Sequence, residues 1–274
     1  MIKTLCVFFT VLVLHSAAAA GLYFSPSLGA SYNPLGINLD SRLYYRAKLW
    51  DRSGILWESA KIEIGIQNDW TPADDFFGAR IMFEPIAVFD ITLRGGYYGI
   101  YDLLGWGCYR FTSPHARYDD RERNGMRAVS ANGYGAAAAP TLKAQAGMVV
   151  AAYSFTVNYI RINVPDYYLE LRSFLIHNAR DANIQHTVFL LLKPNSTMLG
   201  GCTYTSTRSI QADTRARRLN LLAVYMPEIK KMETLTFVLT PGWYLYHPLY
   251  ASKPYVGCMV TADFKLFRSA TAVQ

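Results

Sequence analysis

Hydrophobic and polar residues alternate with a period of two along most of this chain. Leu39, Ser41, Leu43, Tyr45, Ala47 and Leu49 share one parity, and Asp40, Arg42, Tyr44, Arg46, Lys48 and Trp50 share the other. Successive side chains of a strand point to opposite faces, so this stretch predicts a strand with one apolar and one charged face. Ala60, Ile62, Ile64 and Ile66 oppose Lys61, Glu63, Gly65 and Gln67 in the same way. Leu142, Ala144, Ala146, Met148 and Val150 oppose Thr141, Lys143, Gln145 and Gly147. Near the end, Val256, Cys258, Val260, Ala262, Phe264 and Leu266 oppose Tyr255, Gly257, Met259, Thr261, Asp263 and Lys265. None of these runs fits the 3.6-residue stripe of a helix better.

Short polar or Pro-bearing clusters punctuate the runs: Asp51-Arg52-Ser53-Gly54, Asn178-Ala179-Arg180-Asp181, Lys193-Pro194-Asn195-Ser196 and Met226-Pro227-Glu228. Strands are expected at 22–32, 37–50, 57–70, 77–84, 89–99, 140–151, 154–163, 166–176, 183–192, 197–208, 214–225, 232–242 and 255–267. That is thirteen, whereas a closed up-and-down barrel of the bacterial kind carries an even number. One segment is wrong or one is missing, with 105–112 as the place to look. The expectation is an all-β transmembrane antiparallel barrel of about 12 strands, with 14 as the alternative.

Strand length and aromatic placement favour a membrane barrel over a soluble β protein. Many of these runs reach the 9–11 residues that cross a bilayer at a tilt, where soluble strands average five or six. Charged side chains occupy mid-strand positions, as a wet lumen allows. Aromatics gather near strand ends at Tyr44-Tyr45, Trp50, Trp57, Trp70, Phe76-Phe77, Tyr97-Tyr98, Tyr167-Tyr168 and Trp243-Tyr244, as in the interfacial girdles of membrane barrels. Half the residues are hydrophobic (51%). Yet after the first twenty residues the longest apolar stretches, around 146–153 and 188–192, fall far short of a spanning helix.

The chain opens with a different signal. Lys3 precedes an apolar run over 5–14, and Ser16-Ala17-Ala18-Ala19-Ala20 supplies small residues before Gly21. Residues 1–20 are expected to be a cleaved secretory signal peptide, with 21–274 forming the barrel. Cys6 lies ahead of most of the apolar core, so it does not mark a lipoprotein. Cys108, Cys202 and Cys258 remain, an odd and widely spaced set expected to act as small apolar side chains. The chain carries a formal net charge of +7. After export, that excess points to anionic lipid or anionic solutes rather than nucleic acid.

With these features the chain resembles the bacterial outer-membrane β-barrel proteins as a class, over essentially all of 21–274. The Glu84-Pro85-Ile86-Ala87-Val88-Phe89-Asp90 stretch looks like one of their periplasmic turns. Such barrels often end on an aromatic residue read by the insertion machinery, whereas this chain ends Ser269-Ala270-Thr271-Ala272-Val273-Gln274. The resemblance implies an outer-membrane location, with outer-membrane lipid and barrel-insertion machinery as partners. The solute is left open.

Between 100 and 140 the alternation fails, and 113–125 is densely charged. This long loop is expected to lie outside the cell as a surface loop, the alternative being a lumen constriction or plug. Four histidines follow the leader. His115 lies near Asp119 and Asp120, while His177 and His186 bracket a turn, and no serine stands at a convincing spacing for a Ser-His-Asn set. No catalytic residues, metal ligands or cofactor are therefore assigned. The remaining chemistry is basic: Arg42, Arg46, Lys48, Lys61, Arg94, Lys143, Arg172, Arg215 and Arg217 fall on the polar faces of expected strands. In a lumen they would favour anions, unless Asp40, Glu63, Asp90 and Glu170 pair with them and seal a narrow bore. The functional expectation is a narrow porin-like channel with anion preference. The alternative is a structural or adhesin-type surface barrel without transport, and a barrel enzyme stands behind both.

Overall fold

The computed structural model describes residues 20–102, 106–116, 118, 126–230 and 232–268. The expected leader therefore lies, apart from Ala20, outside the described residues. The strands are β1 (Gly21–Tyr32), β2 (Gly36–Lys48), β3 (Lys61–Trp70), β4 (Asp74–Ile86), β5 (Phe89–Ile100), β6 (Arg110–Phe111), β7 (Ala131–Ala146) and β8 (Val149–Ile162). They continue with β9 (Tyr167–Glu170), β10 (Leu175–Asn178), β11 (Arg180–Leu192), β12 (Met198–Ser209), β13 (Arg215–Tyr225), β14 (Thr234–Tyr246) and β15 (Pro254–Arg268). Twelve of them close into one antiparallel barrel, each beside its neighbour in chain order, with β15 returning to β1; β6, β9 and β10 form a separate small sheet. The closing seam pairs Leu28 with Val260 and Ser27 with Thr261, whose hydroxyls lie 2.8 Å apart.

Directly opposed residues of an antiparallel pair share a face. Tyr44 lies opposite both Tyr23 and Gly65, and Arg46 lies opposite Glu63. One parity thus runs into the bore and the other outward. The outward set includes Leu28, Leu142, Leu190, Leu219, Leu221, Phe237, Leu239 and Leu266, all exposed. Loops 33–35, 71–73, 163–179, 210–214 and 247–253 and the described part of 101–130 crowd one rim, the long-loop rim; the others lie at the opposite rim.

Two expected strands were misplaced, each for a physical reason. Segment 140–151 is not one strand but the end of β7, a tight turn and the start of β8. Gly147 takes a left-handed φ of 57° there and reverses the chain. The run looked continuous because Met148 and Val150 are apolar on either side of that turn. β7 begins nine residues earlier than expected because both of its faces carry small residues, Gly133, Gly135 and Ala136–Ala139, which hide the alternation. Segment 166–176 is not a barrel strand. It supplies β9 and then turns at Phe174 (φ 53°) into β10. Removing it from the thirteen leaves the twelve observed, and 105–112 contributes β6 rather than a barrel strand.

The buried apolar core lies within the barrel, at the long-loop rim. Inward residues Phe76, Tyr98, Ile100, Ile162 and Tyr244 pack with Cys108, Tyr109 and Tyr118 of the long loop and with Tyr168, Leu169, Leu171, Phe174 and Ile176 of the β9–β10 hairpin. The expectation of a plain surface loop is thereby corrected: the described part of 101–130 joins the hairpin in a plug. A bore of about eight strands is just filled by its own side chains, and one of 16–18 leaves a channel. Twelve strands fall between, so inserted loops are needed to fill the mouth.

Candidate functional site: the lumen and its plug

Three features meet in the lumen: an ion-paired wall, the plug and a neutral wall. The paired wall comes from β2–β5 and β7, where inward basic and acidic side chains of neighbouring strands reach one another, some directly opposed, as Arg46 and Glu63, and some on a diagonal. Near the opposite rim, Lys143 Nζ lies 2.6 Å from Asp90 and 3.8 Å from Glu84, and Lys61 lies 3.7 Å from Glu84. Higher up, buried Glu63 receives Arg46 at 2.9 Å on one oxygen and Arg80 at 3.1 Å on the other. Arg42 lies 3.4 Å from Asp40, which also accepts a 2.6 Å bond from Gln67. Lys48 reaches Asp51 of the following loop at 3.7 Å.

Arg172 tops this ladder, but it comes from the hairpin and not from a barrel strand. Its guanidinium donates to the carboxylate and the carbonyl of Asp69 and, at 3.0 and 3.3 Å, to both oxygens of fully buried Asp74. The Tyr98 hydroxyl donates to Asp74 at 2.8 Å, over which side the Arg172 guanidinium also lies 5.5 Å from the Tyr98 ring. Burial disfavours the charge on Arg172, but Asp74 and its other neighbours reverse that and raise its pKa well above the usual arginine value. Glu170, buried in the same hairpin, accepts the backbone N–H groups of Arg172 (3.1 Å) and Ser173 (2.7 Å).

Other bonds fasten the plug. Leu169 N donates to Tyr109 O at 3.0 Å, Thr214 Oγ1 to Ile176 O at 2.8 Å, and the Tyr118 hydroxyl to Phe174 O. His247 bridges the plug and the 247–253 loop. Its Nε2 lies 3.2 Å from Ser173 O, and its Nδ1 accepts the amides of Leu249 and Tyr250 at 3.0 and 3.1 Å. That pattern suits only a neutral ring protonated on Nε2. Burial accordingly pushes its pKa down to about 4, against a raising contribution from the Ser173 carbonyl, with Arg218 and Lys253 pushing the same way as burial. His177, fully buried in the hairpin, is also held below its ordinary range by burial, against the pull of Glu170 and Asp181.

The neutral wall is built by β8 and β11–β14, whose inward residues include Asn158, Asn183, Gln185, Thr187, Thr203, Thr205, Thr207 and Asn220. Between it and the plug lies a cavity of about 450 Å³. Two cations border it without any carboxylate in ion-pair distance among the described residues. Arg94 donates to Asn158 Oδ1 at 3.2 Å and lies 5.3 Å from the Phe76 ring centroid. Arg218 rests 3.9 Å over the Tyr255 ring.

Of the basic residues singled out from the sequence, Arg42, Arg46, Lys48, Lys61, Arg94 and Lys143 lie on the inward parity, and Arg172 enters on the hairpin. Arg215 and Arg217 do not line the lumen. They share the outward parity with Leu219 and Leu221 and are exposed, while Arg218 turns inward opposite Thr205. The polar cluster 215–218 straddles both faces, and a register shift falls between Arg217 and Arg218. Arg80 was also missed, although its parity opposite Ala79 and Ile81 within the expected strand 77–84 carried the signal. His186 faces outward with its Nδ1 2.8 Å from the Tyr153 hydroxyl. Asp119 and Asp120, the expected neighbours of His115, lie outside the described residues. The three cysteines after the leader are free, with Cys108 buried in the plug.

No family model and no curated protein match the sequence. Among solved structures the chain is similar to the beta domain of the Bordetella autotransporter Brka (TM-score 0.46, 12% identity, 91% of this chain and 100% of that one). It is also similar to the NanC porin (0.43, 10%, 89% and 100%) and to the translocator domain of autotransporter NalP from Neisseria meningitidis (0.43, 9%, 96% and 95%).

Proposed function

We propose that the protein is an outer-membrane β-barrel whose lumen is a narrow, anion-preferring channel held shut at the long-loop rim by the β9–β10 hairpin. The membrane placement is supported by the outward face, on which every one of the twelve barrel strands exposes at least one large apolar or aromatic side chain. Aromatics edge it at both ends: Trp70, Phe77, Tyr97, Tyr134, Trp243 and Tyr246 at one rim, Tyr225 and Phe267 at the other. The anion preference rests on one observation: Arg94 and Arg218 are the two cations at the cavity with no carboxylate in ion-pair distance among the described residues, Glu170 being the acid that also borders it. The other inward basic residues named above are committed to Asp or Glu partners and leave little net field for a passing ion. A cavity of 450 Å³ holds about 15 waters at liquid density, room for a small hydrated anion and not for a folded chain.

The test replaces 164–178 with a two-residue turn and measures conductance in planar bilayers after heat-modifiable gel migration has verified a folded barrel. The full chain is expected to conduct rarely. The hairpin-less barrel is expected to conduct steadily, with a reversal potential on the anion side that moves toward zero in Arg94→Ala/Arg218→Ala. A folded, hairpin-less barrel without conductance would overturn the channel reading. It would favour a sealed structural barrel, the alternative to which the ion-paired wall lends weight.

A further inference from the structure

The five arginines on the outward face of the strands form a group the lumen does not explain. Arg161 on β8, Arg180 on β11, Arg208 on β12 and Arg215 and Arg217 on β13 all lie within two residues of the long-loop rim, on strands adjacent in the sheet. They are exposed. Arg161 stands directly opposite Arg180, and Arg208 directly opposite Arg215. Such partners hold their Cβ atoms about 4.5–5.5 Å apart, and like charges there repel. Among the described residues a single carboxylate answers them: Asp213, 2.9 Å from Arg208 and 3.1 Å from Arg215. Arg161, Arg180 and Arg217 have no acidic partner among the described residues.

The patch is one-sided. Elsewhere around the same rim the outward positions hold Tyr32, Ile37, Trp70, Phe77, Tyr97 and Tyr134, with Asp75 as the charged member. Directly beneath Arg161 and Arg217 on their strands come Tyr159 and Leu219, aromatic or apolar and exposed, with exposed Leu245 of β14 beside Arg217. Beside them a recess of about 890 Å³ is bordered by Arg215, Arg217, Lys253 and His115 together with Tyr246 and Leu249, with Asp213 as the carboxylate in its lining. Paired guanidinium groups above an apolar surface match an anion whose other end is hydrocarbon. Arginine's planar fork suits phosphate oxygens in particular.

We propose that this face of β8, β11, β12 and β13 is a binding site for the phosphate groups of a phosphorylated lipid in the leaflet at the long-loop rim. Arg161–Arg180 and Arg208–Arg215 would each clamp phosphate, and Arg217 would extend the clamp into the recess. The bound phosphate relieves the repulsion between opposed arginines while the acyl chains cover the apolar strand face below. The proposal rests on the membrane reading above.

The experiment uses the full chain in nanodiscs of zwitterionic lipid doped with bisphosphorylated lipid A, or with the same glycolipid after phosphate removal. Native mass spectrometry counts the retained glycolipid, and heat-modifiable migration verifies the inserted barrel. Retention is expected for the phosphorylated form. It should fall about thirtyfold in Arg161→Gln/Arg180→Gln and in Arg215→Gln/Arg217→Gln, from about 1 kcal/mol per interfacial arginine. Arg215→Lys/Arg217→Lys should restore part of it, because lysine keeps the charge and not the planar fork. Equal retention of the dephosphorylated glycolipid, or unchanged retention in both Gln variants, would refute the site. Displacement by millimolar inorganic phosphate would instead assign it to free phosphate and overturn the lipid. A chain that never inserts defeats the membrane reading itself, and the lipid site falls with it.

Discussion

Arg172→Ala should unlock the plug without unfolding the barrel. Arg172 is the tie between the hairpin and the charged wall, and its removal strands Asp74, which is 0% exposed. Breaking a buried ion pair by deleting one partner costs about 3–5 kcal/mol when the remaining charge is sealed from water. Here the Arg172 side chain is 28% exposed, so water reaches the site. Asp74 also keeps the Tyr98 hydroxyl at 2.8 Å and the Thr71 hydroxyl at 3.0 Å. Halving the sealed value gives about 2 kcal/mol, a rise of about thirtyfold in the undocked population. Amide hydrogen exchange in lipid reads this directly. The amides of Leu169 and Phe174, bonded to Tyr109 O and Glu170 O, should exchange about thirtyfold faster, while those of β12 and β13 stay protected. Arg172→Ala in an Asp74→Asn background should cost less than the two changes added separately, because they share one interaction. If Leu169 and Phe174 exchange within twofold of the wild-type rate, the guanidinium is not what holds the hairpin.

Acid should loosen the same plug through His247. Its folded pKa of about 4 lies below the free value of 6.5, so the undocked ring binds the proton more readily. Docking is undiminished above about pH 6.5 and weakens towards pH 4 by about 3 kcal/mol, with His177 acting in the same direction. Open probability in planar bilayers should climb over that window, and a flat profile from pH 7 to pH 4 would count against it. Glu63→Gln leaves Arg46 and Arg80 without their shared carboxylate; urea unfolding from lipid vesicles should show a loss of about 3 kcal/mol, and a change below about 1 kcal/mol would rule out a structural ladder. Leu221→Arg puts a cation on the apolar outer face at an exposed position. Insertion should weaken by about 2–4 kcal/mol if the site lies near the bilayer midplane, whereas a soluble barrel would keep its folding equilibrium within about 0.5 kcal/mol.

The barrel was legible in the sequence wherever its two faces differ in polarity. In β2, Leu43 and Arg42 could not be confused, and the faces read from alternation are the faces observed. The reading failed where side-chain chemistry carries no contrast. β7 places Gly133 and Gly135 inward and Ala136 and Ala138 outward, so it looked irregular; the small inward residues leave room for Phe76, which approaches Gly135. It failed again at 166–176, where length and aromatic content mimic a spanning strand. Alternation there reports burial in a plug on both sides of the chain, and only the φ of 53° at Phe174 separates hairpin from strand. Arg215 and Arg217 were misassigned because an arginine is polar on any face. A lipid-facing position near the headgroups accepts it as readily as a lumen does.

The two walls of the lumen carry this argument further than the count of basic residues does. A +7 chain with arginines and lysines on polar faces suggests an anion-selective ring, but β2–β5 and β7 pair Arg46, Arg80, Lys61 and Lys143 with Glu63, Glu84 and Asp90. Paired charges at 2.6–3.7 Å cancel most of each other's field a few ångströms away, and they hold their side chains still. Any solute path is thus displaced towards β8 and β11–β14, where hydroxyls and amides bind water or solute without a fixed charge. On that side Arg94 and Arg218 are the cations without a carboxylate in ion-pair distance among the described residues, so their field falls on an anion in the cavity. Selectivity should therefore follow those two residues and be almost insensitive to Lys61 or Lys143. Removing either lysine unbalances the ladder by exposing Glu84, and is expected to move the reversal potential slightly toward cations while leaving the Arg94–Arg218 contribution intact.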